Sequence, residues 1–204
     1  MLIFAGLGNP GREYAGNRHN LGAMTVEAIA QKWNFDRERS RFASLAREGQ
    51  IGETRVLILR PQTFYNESGR SVGEAAAFYK LTPAEVVVFH DEVDLAPGRF
   101  RMKAGGGAAG NNGVRSLIAR IGPDFRRARL GIGHPGHKDR VMGHVLSDFH
   151  KVETPWVRAL TAACAEAATL LAAGEDERYQ AEVMRLAPAV KLDPRAASRE
   201  DPET

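Results

Sequence analysis

Val86, Val87, Val88, Phe89 and His90 follow one another with no polar alternation before the first charge, Asp91. A strand with one wet face alternates apolar and polar residues, so a run of this kind predicts a strand covered on both faces. Such strands belong to sheets sandwiched between helices, and the rest of the chain has the matching rhythm. Leu2 to Leu7 reads as a second short buried strand, ended by Gly8-Asn9-Pro10-Gly11. Leu21, Met24, Val26, Ile29, Ala30 and Trp33 make one broad apolar helical face. Residues 42–47 and 55–59 predict two strands joined through Gly49 to Gly52, and Ser68–Tyr79 predicts a helix rich in small residues. Thr82-Pro83-Ala84-Glu85 has the capping-box pattern, with proline at the first helical position. A short strand at 99–103, a glycine-rich loop from Gly105 to Gly113, a helix through Ile121 and a strand at 128–133 come next. Two helices, at 155–173 and 175–186, close the body. The expected architecture is a single-domain, three-layer α/β/α fold with a mixed, mostly parallel central sheet over residues 1–187. Residues 188–204 are poor in apolar side chains and are expected to form a mobile tail.

At 204 residues and 43% hydrophobic, the chain can bury one sizeable core. Its formal charge of +3 says little about partners, but the distribution says more. Between Arg99 and Arg140 ten basic residues face only Asp124 and Asp139, a local excess of eight. That field suits a polyanion, and a solvated surface explains it equally well. The single cysteine, Cys164, excludes an internal disulfide and a multi-cysteine zinc site, and its alanine-rich surroundings predict a small buried apolar role. MLIFAGLG is too short and too uncharged for a secretory signal, and no apolar run approaches the roughly 20 residues of a membrane span. A cytoplasmic, soluble protein is expected.

Gly6-Leu7-Gly8-Asn9-Pro10-Gly11 satisfies G-x-G-x-x-G after a strand, yet a dinucleotide site needs a helix that opens at those glycines. Here Gly16 and Asn17 intervene, and Pro10 removes one backbone donor, so no nucleotide cofactor is expected. No G-x-S-x-G elbow is present. His134, His137 and His144 match no metal-binding spacing and read as surface histidines, so neither a metal nor any other cofactor is expected. What remains is a set of polar residues at the ends of apolar segments: Asn9, His19, Asn20, Asn66, Asp91, Asn111 and Asn112. In open α/β folds these ends converge on one edge, where ligands bind. Each asparagine alone reads first as a helix cap. Together they describe a site that positions a carbonyl or a water, with an aspartate able to fix the tautomer of His19 and leave its Nε2 to take a proton.

The segments GLGNPGREYAGNRHNLG, RPQTFYNESGRSV, FHDEVDLAPGRFRMKAGGGAAGNNGVRS, RRARLGIGHPG and VLSDF resemble, in this order and spacing, the bacterial-type peptidyl-tRNA hydrolases. The resemblance covers residues 1 to 186. It implies cleavage of the ester between a peptide and the 3′-terminal ribose of tRNA, with peptidyl-tRNA as the partner; no membrane association, no obligatory protein partner and a monomeric state are expected. It places the catalytic base at His19 and its orienting acid at Asp91. Asn9, Tyr14, Tyr65, Asn66, Asn111 and Asn112 fall at substrate-binding positions, and Lys103 and Arg129 at positions that hold a tRNA phosphate. Arg18 would favour neutral imidazole if its charge faced His19. The sequence leaves the family pattern where Asn111 replaces a histidine, where Tyr65 replaces a methionine, and at Ala108 and Ala109 in the glycine loop. Residues 137–150 are expected to form a mobile flap over the cleft. The rival readings are an RNA-binding protein of this fold without hydrolase activity and a metal-dependent peptidase on a related scaffold.

Overall fold

The computed structural model describes residues 1–188, so the tail expected at 188–204 lies almost wholly outside the described residues. A seven-stranded mixed sheet runs in the order β2-β3-β4-β1-β5-β7-β6. Its strands are β1 (Leu2–Gly6), β2 (Arg39–Arg41), β3 (Ser44–Ile51), β4 (Thr54–Pro61), β5 (Val86–Glu92), β6 (Phe100–Ala104) and β7 (Arg126–Gly131). The four central strands β4, β1, β5 and β7 are parallel, and antiparallel ladders occupy both edges. Helices α1 (Leu21–Lys32), α2 (Ser68–Tyr79), α3 (Asn112–Ile121), α4 (Val141–Val145), α5 (Thr154–Glu166), α6 (Ala168–Ala172) and α7 (Asp176–Leu186) complete the order.

Every residue of β5 is buried, as its unbroken apolar run requires. Phe4, Val87 and Phe89 point to the face covered by α1, α5, α6 and α7, while Ile3, Ala5, Val86 and Val88 point to the face covered by α2 and α3. The period of two thus divides one buried strand between two cores. At the β6 edge, Met102 N–H donates to Gln180 Oε1 at 2.9 Å and Phe100 N–H to Met184 Sδ at 3.2 Å, so α7 occupies donors that would otherwise be exposed.

Two departures from the expected elements have local causes. β2 is three polar residues long and carries no apolar signal. The helix expected at 155–173 is broken at Ala167, between α5 and α6. Trp33 Nε1–H donates to the Ala165 carbonyl at 2.9 Å and the Tyr179 hydroxyl to that of Cys164 at 3.1 Å. Side chains inserted on carbonyls of the final turn interrupt the helical ladder there. Cys164 itself is fully buried, and burial pushes its thiol up to about 12.

The glycines of the false dinucleotide motif serve the chain's own packing. A Cβ on Gly6 would lie 2.5 Å from the Gly22 carbonyl oxygen, and one on Gly8 would lie 2.9 Å from the Asn20 side chain. A Cβ on Gly22 would collide with the Phe89 carbonyl oxygen. Helix α1 therefore lies with its backbone directly on β1 and β5, and Leu7 N–H reaches the Phe89 carbonyl at 3.0 Å. Gly22→Ala is expected to destabilise the fold by about 1–3 kcal/mol, the usual cost of overpacking, as read by urea unfolding.

Candidate active site

The loops that follow β1, β4, β5 and β7 all leave the same edge of the sheet, because those strands are parallel. Arg18, His19 and Asn20 form a turn of 3-10 helix that runs into α1. With α1 seated on β5 through Gly22, His19 is carried to the end of that strand. Its Nδ1 lies 2.9 Å and 3.0 Å from the two carboxylate oxygens of Asp91. A carboxylate can only accept, so the proton sits on Nδ1 and Nε2 carries the lone pair. The His19 side chain is 17% exposed and that of Asp91 only 2%. The imidazole thus borders a cavity of about 420 Å³, backed by a buried anion. Burial alone would raise the Asp91 carboxyl. The charge of His19 and the hydrogen bonds from His19 and Tyr65 outweigh burial and bring it below its ordinary value.

Asn111 and Asn112 line the same cavity, together with Met142 and Lys138. Asn111 does what a cap does, since its Oδ1 accepts from Val114 N–H at 3.0 Å. Its Nδ2 also donates to the Tyr65 hydroxyl at 3.0 Å, so the cap reading holds and the amide nitrogen faces Tyr65. Asn112 is exposed and accepts from Arg115 at 3.0 Å. Asn9 lines a second cavity of about 410 Å³, on the side of β4 and α1. Its Oδ1 accepts from Tyr65 N–H at 2.8 Å, which leaves Nδ2 as the donor end of the amide. Its main chain is clamped by Asn20, which accepts from Asn9 N–H and donates to the Asn9 carbonyl, both at 2.9 Å. Tyr14 is half-buried, and Asn66 is exposed beyond both cavities.

Tyr65 stands elsewhere than the sequence suggested. It is 3% exposed and lines neither cavity, so it presents no surface to a substrate. Its ring lies flat against His19, centroids 3.5 Å apart and planes at 10°. Arg18 also departs from expectation. Its guanidinium turns away from the base, pairs with Glu153 and donates to Ser147 Oγ at 2.7 Å and to the Asp148 carbonyl. Burial lowers the Arg18 pKa, opposed by the charges of Glu153 and Asp148. Asn17 Nδ2 adds a bond to Asp148 at 2.7 Å, and Phe149 N–H one to the Gly16 carbonyl at 3.2 Å. The segment expected as a flap therefore contains α4, and its far end is tied to the turn that carries His19. The partners of Arg18 lie about 130 residues away, which no local pattern announces.

On the β6–β7 ladder Arg101 pairs with Arg129 and Lys103 with Arg127, which puts all of these cations on one face. They differ in availability. Arg127 is buried and donates to the carbonyls of Gly107 at 2.7 Å and Gly106 at 2.5 Å, so it fastens the glycine loop. Arg129 donates from Nε to Glu92 at 2.9 Å. Lys103 and Arg101 are exposed. Among the described residues no cluster of three or more His, Cys, Asp or Glu side chains is arranged to hold a metal. His134 and His137 each accept from a nearby backbone N–H, and His144 Nε2 lies 3.3 Å from the Ile132 carbonyl.

A carboxylate-held histidine at the C-terminal edge of an α/β sheet, bordering an open cavity, gives the fold the form of an enzyme with a candidate acid–base site. The family model for peptidyl-tRNA hydrolase matches residues 3–190. The chain is 67% identical over 206 residues to the peptidyl-tRNA hydrolase of Phenylobacterium zucineum, covering 99% of each. It is 60% identical over 205 residues to that of Caulobacter vibrioides, covering 98% of this chain and 100% of the relative. The crystal structure of the peptidyl-tRNA hydrolase from Acinetobacter baumannii superposes with a TM-score of 0.86 at 38% identity, over 93% of this chain and 97% of that one. The chain belongs to the peptidyl-tRNA hydrolase family and, by that membership, is an ester hydrolase.

Breaking the buried Arg18–Glu153 pair leaves a charge without its partner. Arg18→Met is expected to cost about 3–5 kcal/mol in urea unfolding. It is also expected to accelerate hydrogen exchange at the Phe149 amide.

Proposed function

We propose that this chain hydrolyses the ester between the C-terminal carbonyl of a peptide and the 3′-terminal ribose of tRNA, using a water that His19 deprotonates. The observation that carries this reading is the His19–Asp91 pair, with one nitrogen locked on a buried carboxylate and the other free at the cavity wall. His19 Nε2 takes the water proton as oxygen attacks the carbonyl. Asp91 stabilises the imidazolium that forms, and the proton then passes to the ribose oxygen as the ester breaks. A peptide ester has a fair leaving group, so neither an enzyme nucleophile nor a cofactor is called for. Asn9, its oxygen fixed by Tyr65 N–H, offers Nδ2 donors to the peptidyl carbonyl and to the oxyanion that develops there. Asn111 and Asn112 line the cavity that would receive the peptide and the tRNA terminus, while Asn66 and Tyr14 are assigned to substrate contact by the family resemblance alone.

Lys103 and Arg129 hold a tRNA phosphate in this reading, and such contacts position the acceptor stem without reading its bases. We place the chain's action in the cytoplasm as a monomer with no obligatory protein partner. Among the described residues no helix is long and apolar enough to cross a membrane.

Release of peptide from N-blocked aminoacyl-tRNA tests the reading. His19→Ala is expected to lose about 10²–10⁴ in kcat, and Asp91→Asn to lower kcat at nearly unchanged tRNA affinity. Activity abolished by a chelator, or retained by His19→Ala, would overturn it. Lys103→Ala is expected to reduce the slope of log affinity against log salt by about one. Arg129→Ala is expected to change it less, because Glu92 already pairs with that guanidinium.

A further inference from the structure

Tyr65 touches both members of the catalytic pair. Its ring stacks on His19, and its hydroxyl donates to Asp91 Oδ1 at 2.7 Å. The phenol oxygen accepts in turn from Asn111 Nδ2 at 3.0 Å. Gly113 leaves room for the ring, since a Cβ there would lie 2.5 Å from Tyr65 Cε1. Two of the positions at which the sequence leaves the family pattern, Tyr65 and Asn111, are therefore in direct contact.

We propose that Tyr65 is a positioning residue for His19 and Asp91, and that Asn111 acts on the reaction through the Tyr65 hydroxyl. This rests on the hydrolytic reading above. Because His19 Nδ1 bonds both Asp91 oxygens at nearly equal distance, that contact alone leaves the carboxylate free to rock about its Cβ–Cγ bond. The hydroxyl pins one oxygen. The stacked ring blocks rotation of the imidazole, so Nε2 stays aimed at the cavity. The phenol must remain protonated to donate, and burial, followed by the charge of Asp91, holds its pKa well above the usual range. Asn111 fills a lone pair of the phenol oxygen and fixes the direction of its proton. Its amide oxygen is meanwhile committed to α3, so the orientation of the amide is set by the helix.

The test compares Tyr65→Phe, Asn111→Ser and their combination. Phenylalanine retains the stacked ring and serine retains a capping oxygen, so both variants preserve the packing. Tyr65→Phe is expected to lower kcat about tenfold, the order for one hydrogen bond to a charged group, with KM within about twofold. Asn111→Ser is expected to lower kcat less, and to add nothing when combined with Tyr65→Phe. In the substrate-free protein, the downfield NMR signal of the His19 Nδ1 proton is expected to exchange faster in Tyr65→Phe than in the unaltered chain. A raised KM at unchanged kcat, or losses that multiply in the combined variant, would overturn the proposal. So would a Nδ1 signal indifferent to Tyr65→Phe, whatever the activity. If the unaltered chain failed to hydrolyse the substrate while the signal still responded, the hydrolytic reading would fail and the coupling of Tyr65 to the pair would be upheld.

Discussion

The site depends on a contact between two pieces of backbone. Helix α1 rests on β5 with no side chain between Gly22 and the Phe89 carbonyl, and Gly6 removes the same obstacle on β1. A larger residue at either place would push α1 off the sheet. The turn of 3-10 helix ahead of α1 carries His19, so the separation of imidazole and carboxylate follows from the separation of helix and strand. A shift of about 1 Å is enough to spoil such a geometry. Asn20 and Asn9 extend the constraint, since their reciprocal bonds tie the loop after β1 to the start of α1.

A buried carboxylate without a neighbouring fixed cation is costly. For Asp91 the charge of His19, then the hydrogen bonds from His19 Nδ1–H and the Tyr65 hydroxyl, reverse the effect of its burial. In the proposed reaction this arrangement suits a base that must gain charge. A permanent cation beside Asp91 would already have satisfied the carboxylate and would oppose protonation of His19. Arg18, adjacent in sequence, is kept out of that role by Glu153, which draws its charge to the far side of the turn.

Much of the fold was legible because burial leaves a compositional trace. The unbroken run of β5, the apolar stripe of α1 and the small residues of Ser68–Tyr79 each read correctly from one-dimensional spacing. The capping box at Thr82 and Glu85 was equally plain, with Thr82 N–H donating to Glu85 at 2.7 Å. Tertiary hydrogen bonds leave no such trace. The break at Ala167 comes from Trp33 and Tyr179, far away in sequence. In the site, His19 and Asp91 were legible as polar residues closing apolar segments, and the structure brings them together. The resemblance puts Tyr65 at a substrate-binding position, whereas the packed α3, with Gly113 beneath the ring, shows it to be buried.

The cationic segment shows why charge counted along a chain overstates charge presented to a ligand. Arg126 is paired with Asp176, Arg129 with Glu92, and Arg127 is buried on carbonyls of the glycine loop. Those residues shape the surface more than they charge it. In the register of the sheet, Arg129 lies opposite His90, and its ion-pair partner Glu92 follows Asp91 on β5. An anion drawn to Arg129 therefore competes with Glu92, one residue beyond the carboxylate that holds the base. The sheet fixes the distance between Arg129 and Asp91, because neither can move without disturbing the β5–β7 ladder. For the proposed reaction this means that the tRNA backbone can set the position of its ester relative to His19 by rigid geometry, while the peptide beyond the ester contributes no register of its own. A catalyst for peptides of any sequence needs its ruler on the side of the substrate that does not vary.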